Sequence, residues 1–163
     1  MPSDTPTPTA SQAPSPDDMQ YCTFRLGELT LGVDVLSVQE VIRHEMMTKV
    51  PLAPTQVKGL VNLRGQIITA LDLREQLGLP MEGDLRAHVV IRDEDEASSL
   101  LVDEVGDVVS PNESDYEPIP SAVPERVRNV VTGAYKLDGR LLLVLDTHRV
   151  LSEVPNAVSG RAR

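Results

Sequence analysis

From Tyr21 onward the chain sets apolar against polar positions in short alternating runs. YCTFRL and LTLGVDVL, on either side of Gly27 and Glu28, predict two strands joined by a tight hairpin. In the next stretch, SVQEVIRH, Val38, Val41 and Ile42 suit either one face of a helical turn or a bent strand. MMTKVPLAPTQVKG carries Pro51 and Pro54, each of which would remove a ladder hydrogen bond, so it reads as a loop or a single helical turn. Residues 59–77, GLVNLRGQIITALDLREQL, predict strand, two-residue turn, strand and short helix. After the Gly- and Pro-punctuated linker LGLPMEGDL, RAHVVIRDEDEASSLLVDEV predicts two strands around an acidic tip. SPNESDYEPIPSAVPERVRN reads as a long excursion with one short helix.

The last patterned stretch repeats an earlier one. GAYKLDGRLLLVLDTHRVL, residues 133–151, lies against residues 59–77 without a gap, matching Gly59 with Gly133, Leu63 with Leu137, Gly65 with Gly139, Leu71 with Leu145, Asp72 with Asp146 and Leu77 with Leu151. VDVLSVQEVI and VDEVGDVV match more loosely upstream. A period of roughly seventy residues is too long for a solenoid unit, so the repeat predicts two similar small β-subdomains, each closing its sheet to protect the edges. The expected division is a Pro/Ser/Thr-rich disordered tail over residues 1–19, a folded region over 20–152 and a flexible tail over 153–163. Within the folded region one subdomain spans about 20–80 plus a C-terminal segment, and the other about 85–146.

Composition narrows the function classes. The chain has 163 residues, and 40% are apolar, yet Tyr21, Phe24, Tyr116 and Tyr135 are its only aromatics, so Val, Leu and Ile must fill the interior. Fifteen Lys and Arg against 25 Asp and Glu give a net charge of −10, a field that repels phosphate backbones and argues against a nucleic-acid-binding barrel. Cys22, the single cysteine, sits in an apolar strand and reads as a buried, inert thiol. No apolar run approaches the length of a membrane span, and the N-terminus lacks the pattern of a secretory signal, so a cytoplasmic protein without direct membrane insertion is expected.

Single residues divide into structural and unexplained. Asp72, with Glu75 three residues on, and Asp146 stand where a strand gives way to a helical turn and read as caps, the former as a capping box. Gly65 and Gly139 fall at turn positions that demand positive φ, and Asp138–Gly139 is the favoured pair for a type I′ hairpin. Arg64 occupies the position equivalent to Asp138 and is locally disfavoured there, which leaves two readings, an intramolecular pair with Glu40 or contact with a partner. His44, His88 and His148 are scattered without ligand spacing, and the run Asp93–Glu96 lacks the alternation of a calcium loop. No phosphate loop or nucleophile elbow occurs, so no catalytic residue, metal or cofactor is expected.

VKGLVNLRGQIITALDLREQLGL, preceded by LGVDVLSVQEVI and followed by LLVDEVGDVV, resembles the CheW family of chemotaxis coupling proteins from about Tyr21 to Leu151. The resemblance implies an all-β fold of two SH3-like five-stranded barrels around a shared core. It also implies a non-enzymatic adaptor between the cytoplasmic tip of methyl-accepting chemoreceptors and the regulatory domain of a CheA-type histidine kinase, recruited to membrane-associated arrays. The pathway implied is flagellar chemotaxis, with surface motility, biofilm or developmental signalling as the alternative. The receptor tip would lie in a groove between subdomains, at positions matching Val38, Gly59, Arg64 and Gly65 of this chain; core packing or a barrel bend accounts equally for Val38 and Gly59. Asn62 belongs to the Asn-Leu-Arg-Gly signature, and Glu40 and Val41 lie near the expected kinase contact. Two positions depart from the family pattern: Ser99 stands where glycine is common, and YEPIPSAVP lacks a bulky side chain at a second kinase contact.

Overall fold

A computed structural model describes residues 19–43 and 47–153; the tails expected before residue 19 and after residue 153, and His44, lie outside them. The described residues form eleven strands: β1 (Tyr21–Leu26), β2 (Leu29–Asp34), β3 (Val38–Arg43), β4 (Val57–Leu63), β5 (Gln66–Asp72), β6 (Ala87–Asp93), β7 (Glu96–Val102), β8 (Glu104–Val109), β9 (Tyr116–Glu117), β10 (Val131–Leu137) and β11 (Arg140–Leu145). The helices are short: α1 (Arg74–Leu77), α2 (Glu125–Arg128) and α3 (Thr147–Ser152). The ambiguous stretch is resolved as a strand. A single 3-10 turn, Val35–Ser37, is capped by the Asp34 carboxylate accepting from the Leu36 N–H, and the β-branched residues beyond it pair with β6.

Two sheets result, with strand orders β8-β1-β2-β11-β10-β9 and β3-β6-β7-β5-β4. They are the two expected subdomains, the first carrying a sixth strand, β9, of only two residues. The expected split at about residue 80 does not follow the sheets. The five-stranded sheet is continuous in sequence over 38–102 and interrupts the other, built from 21–34 and 104–145. The cause lies in the non-local pairs: β2 lies parallel to β11, far along the chain, and β5 parallel to β7. Apolar alternation marks a strand but carries no record of its partner.

Alternation assigns each face of these strands to a different interior. Cys22, Phe24, Leu31 and Val33 of the first sheet meet Val89, Ile91, Leu100 and Leu71 of the second in one shared core. Their in-between neighbours fill the barrels themselves: Tyr21, Leu142 and Val144 in one, Val61, Ala70, Leu101, Leu63, Ile68 and Val90 in the other.

The repeat appears as two hairpins of the same build, β4–β5 followed by α1 and β10–β11 followed by α3. Both have a bulge before the matched glycine, Gly59 or Gly133. In both, the aspartate N–H donates 2.8 Å to a carbonyl ahead of the hairpin, Asp72 to Gln56 and Asp146 to Val130.

Candidate functional site

The β4–β5 turn is type I′ in its φ signs, with Arg64 at +54° and Gly65 at +85°. The chain offsets the strain of a left-handed arginine with side-chain bonds. Asn62 Oδ1 accepts from the Gly65 N–H at 3.1 Å, and Arg64 Nη1 reaches Glu40 Oε1 at 2.8 Å. Arg64 remains 78% exposed while Glu40 is only 20% exposed, so the carboxylate is the anchored member and most of the guanidinium faces outward. In the second copy the expected type I′ turn is absent: Gly139 takes +79° but Asp138 is not left-handed. The conformation that Asp-Gly favours is taken up by Arg-Gly, where an ion pair to a neighbouring strand reinforces it.

Strand β3 is the edge of its sheet and presents two different faces. Opposed residues of an antiparallel pair share a face. Val38, Val41 and Arg43 stand opposite Ile91, Val89 and Ala87, which belong to the shared core, whereas Glu40 and Ile42 stand opposite Val90 and His88, whose side chains turn to the other face. A bulge between Val38 and Glu40 keeps both sets in phase. Val38 and Val41 therefore look toward the space between the sheets, and Glu40 toward the turn carrying Arg64. The expected grouping puts Val38, Gly59, Arg64 and Gly65 at the receptor and Glu40 and Val41 near the kinase; on the strand, Val38 shares a face with Val41, and Glu40 is paired with Arg64.

Gly59 is buried, and a Cβ there would stand 2.8 Å from the Thr48 carbonyl oxygen. Thr48 pairs with Leu60 through two backbone hydrogen bonds and covers the β4 edge. The close backbone approach that this glycine permits is made by the chain's own segment.

Across from β3, the second exposed edge is β8. There Val108 and Val105 sit opposite Cys22 and Phe24, on the shared-core side, and Val108 is 51% exposed. A cleft between the two edges is lined at one end by Arg43, Arg86, Ala87, Asp103, Glu104 and Val105. Val38 and Val108, at the other ends of the same strands, and Leu36, 80% exposed in the turn before β3, lie outside that lining. Leu36, Val108, Arg43 and Arg86 carried no signal in the sequence, because an apolar or basic residue in a strand looks the same at a sheet's edge as at its centre.

Asp72 and Arg74 form a buried ion pair, not the expected capping box. Asp72 accepts from the Arg74 N–H and Nε at 3.0 Å and from Nη2 at 2.9 Å, and Arg74 Nη1 donates onward to the Glu82 carbonyl at 2.8 Å. Residue Leu73 occupies the N-cap of α1 without a side-chain bond. The carboxylate is fully buried, which alone would push its pKa up; the Arg74 guanidinium and N–H, with Lys58 beyond, hold it below the usual carboxylate range. The competing attraction was an arginine two residues away, close enough to outbid the N3 glutamate. Asp146, by contrast, caps α3 as expected, accepting from the Arg149 N–H at 3.1 Å.

The remaining chemistry-bearing groups serve packing. His88 and Ser99 are both buried, and Nδ1 lies 2.7 Å from Oγ, so the serine in place of a small glycine has a polar partner inside the barrel. Burial pushes the Cys22 thiol up, which disfavours the nucleophilic thiolate. His148 Nδ1 meets Asp93 Oδ2 at 3.1 Å, tying α3 to the β6–β7 tip. No group of three His, Cys, Asp or Glu suited to a metal occurs among the described residues, and no helix among them is long and apolar enough to cross a membrane.

Two small barrels that share a core and leave charged and apolar side chains exposed on strand edges define a double-barrel β module. Residues 20–154 match the family model described as CheW-like domain, and the chain belongs to that family of chemotaxis adaptors. It is 28% identical over 142 residues to "Chemotaxis protein CheW" of Treponema pallidum, covering 83% of this chain and 84% of that protein. The Thermotoga maritima protein of the same name is 30% identical over 138 residues, covering 84% and 90%. Among solved structures, the scaffolding protein TtCheW from Thermoanaerobacter tengcongensis superposes with a TM-score of 0.69 at 27% identity, covering 78% of this chain and 88% of that one.

Proposed function

We propose that the protein couples the cytoplasmic tips of methyl-accepting chemoreceptors to a CheA-type histidine kinase, as a non-enzymatic cytoplasmic adaptor recruited to membrane-associated arrays in flagellar chemotaxis. The carrying observation is the division of β3 between two surfaces, Val38 and Val41 toward the β8 cleft and Glu40 toward Arg64. One strand can then serve two partners at once. Six-residue edges make a cleft about 17 Å long, the length of about three helical turns, which suits a helix laid in a groove. The anchored Glu40–Arg64 pair presents outward N–H donors to the kinase regulatory domain. Asn62 and Gly65 contribute by shaping the turn that aims the arginine. The relatives' names, chemotaxis and scaffolding proteins, support this reading.

Co-sedimentation with receptor-bearing membranes and CheA, with kinase phosphorylation rates read in parallel, tests it. The wild-type chain should enter the pellet with the kinase and stimulate it, and a folded Arg64→Asp chain should lose kinase recruitment while still binding receptor. Unchanged ternary assembly and stimulation by that variant would remove Arg64 from the contact.

A further inference from the structure

The charged groups at one end of the β3–β8 cleft are unequally satisfied. Arg43 and Arg86 share that end with Asp103 and Glu104. Each carboxylate already has a partner: Glu104 accepts from Arg25 at 3.0 Å and Asp103 from the Gly27 N–H at 2.7 Å. Neither Arg43 nor Arg86 makes a side-chain ion pair or hydrogen bond with a described residue, although 25 acidic side chains are available against 15 basic ones. Two guanidiniums lining one cleft end without a side-chain bond to a described residue raise the local potential in an otherwise acidic chain.

Arg43 lies on the same face of β3 as Val38 and Val41, so its charge continues the apolar wall. Two residues of strand span about 6.7 Å, close to the 5.4 Å pitch of a helix. A helix resting an apolar side chain on Val41 would bring the residue one turn along it to Arg43. Guanidinium forms bidentate bonds with carboxylates, and the cleft's own carboxylates are taken.

We infer that Arg43 and Arg86 form an acid-reading end of the cleft, selecting docking helices that carry Asp or Glu about one turn beyond their apolar anchors. This rests on the cleft being the receptor-binding surface. The pair then acts as a specificity determinant: the valines and Leu36 supply area to any amphipathic helix, and the arginines reject one that is neutral or basic at that position.

The test titrates a soluble cytoplasmic hairpin fragment of a chemoreceptor from the same genome into the full chain, at low and high salt. It compares wild type, Arg43→Glu with Arg86→Glu, Arg43→Gln with Arg86→Gln, and Leu36→Asp with Val108→Asp, with circular dichroism to confirm folding. The charge-reversed chain should bind at least tenfold more weakly at low salt and recover partly at high salt, and the Gln chain should bind to an intermediate degree with a flattened salt dependence. Changing one tip Asp or Glu of the fragment to Lys should restore binding to the charge-reversed chain. If both arginine variants bind like wild type while Leu36→Asp with Val108→Asp does not, the acid-reading end is wrong and the cleft stands. If none of the variants changes binding, the cleft itself is wrong. A loss that no charge change in the fragment restores also overturns the arginine pairing.

Discussion

The hairpins of residues 59–77 and 133–151 share a bulge, a crowded glycine and a backbone bond from a matched aspartate, but they use these parts differently. In the first copy the aspartate is buried against Arg74, which in turn holds the carbonyls of Glu82 and Gly83 in the linker to β6. In the second, Asp146 is partly exposed, caps a helix through the Arg149 N–H and pairs with the Arg149 guanidinium at 3.4 Å. The first turn carries an arginine in a left-handed conformation tied to another strand; the second carries Asp-Gly and no such tie. The repeated framework thus shares its backbone while one copy carries the buried pair that fastens it to its neighbour and an outward-facing charge.

The largest expected break in this comparison comes from the aspartates. Asp72→Ala should cost about 3–5 kcal/mol by leaving Arg74 buried without its counter-ion, whereas Asp146→Ala should cost about 1 kcal/mol as a lost cap. Urea unfolding of both variants measures the difference. Because the Asp72 pKa is lowered in the folded state, its contribution is present above the unfolded carboxylate value of about 4 and is lost as pH falls through the folded value. The gap between wild type and Asp72→Ala should therefore narrow below about pH 4, and the stability of Asp72→Ala should fall less steeply there.

The glycines come next. A Cβ at Gly59 would meet a backbone carbonyl at 2.8 Å, while one at Gly133 would meet the ring of half-exposed Tyr116 at the same distance. Gly59→Ala should cost about 1–3 kcal/mol because the Thr48 bridge must shift, and Gly133→Ala less, because a surface ring can swing aside. Adding Tyr116→Ala should remove most of the Gly133→Ala penalty in thermal unfolding; if the penalty persists, backbone strain and not the ring is responsible.

The smallest effect on stability is expected at the turn. Arg64→Asn gives up an exposed ion pair worth at most about 1 kcal/mol but gains a residue better suited to positive φ. Its unfolding midpoint should stay close to wild type while kinase recruitment falls. That combination separates a contact residue from a structural one more cleanly than charge reversal.

Much of this was legible in the chain. Strands, hairpin turns, the repeat and the Asp146 cap all follow from periodicity and from residue types with strong local preferences. Arg64 stood out because it violated such a preference, and its pair with Glu40 was one of two readings the sequence left open. Asp72 was misread as a cap because the helix-start rule weighs residues three apart, while burial made the nearer arginine the stronger partner.

The sequence by itself determined where the chain becomes strand, where it turns and that it does so twice in a similar way, since these depend on neighbours within a few residues. Only the tertiary structure decided which strands share a sheet, that β3 and β8 are edges facing a common cleft, and that Arg43 and Arg86 meet at its end without a side-chain partner among the described residues. Those properties depend on contacts between residues as far apart as β2 and β11, and edge position, burial and unsatisfied charge exist only once those contacts are made.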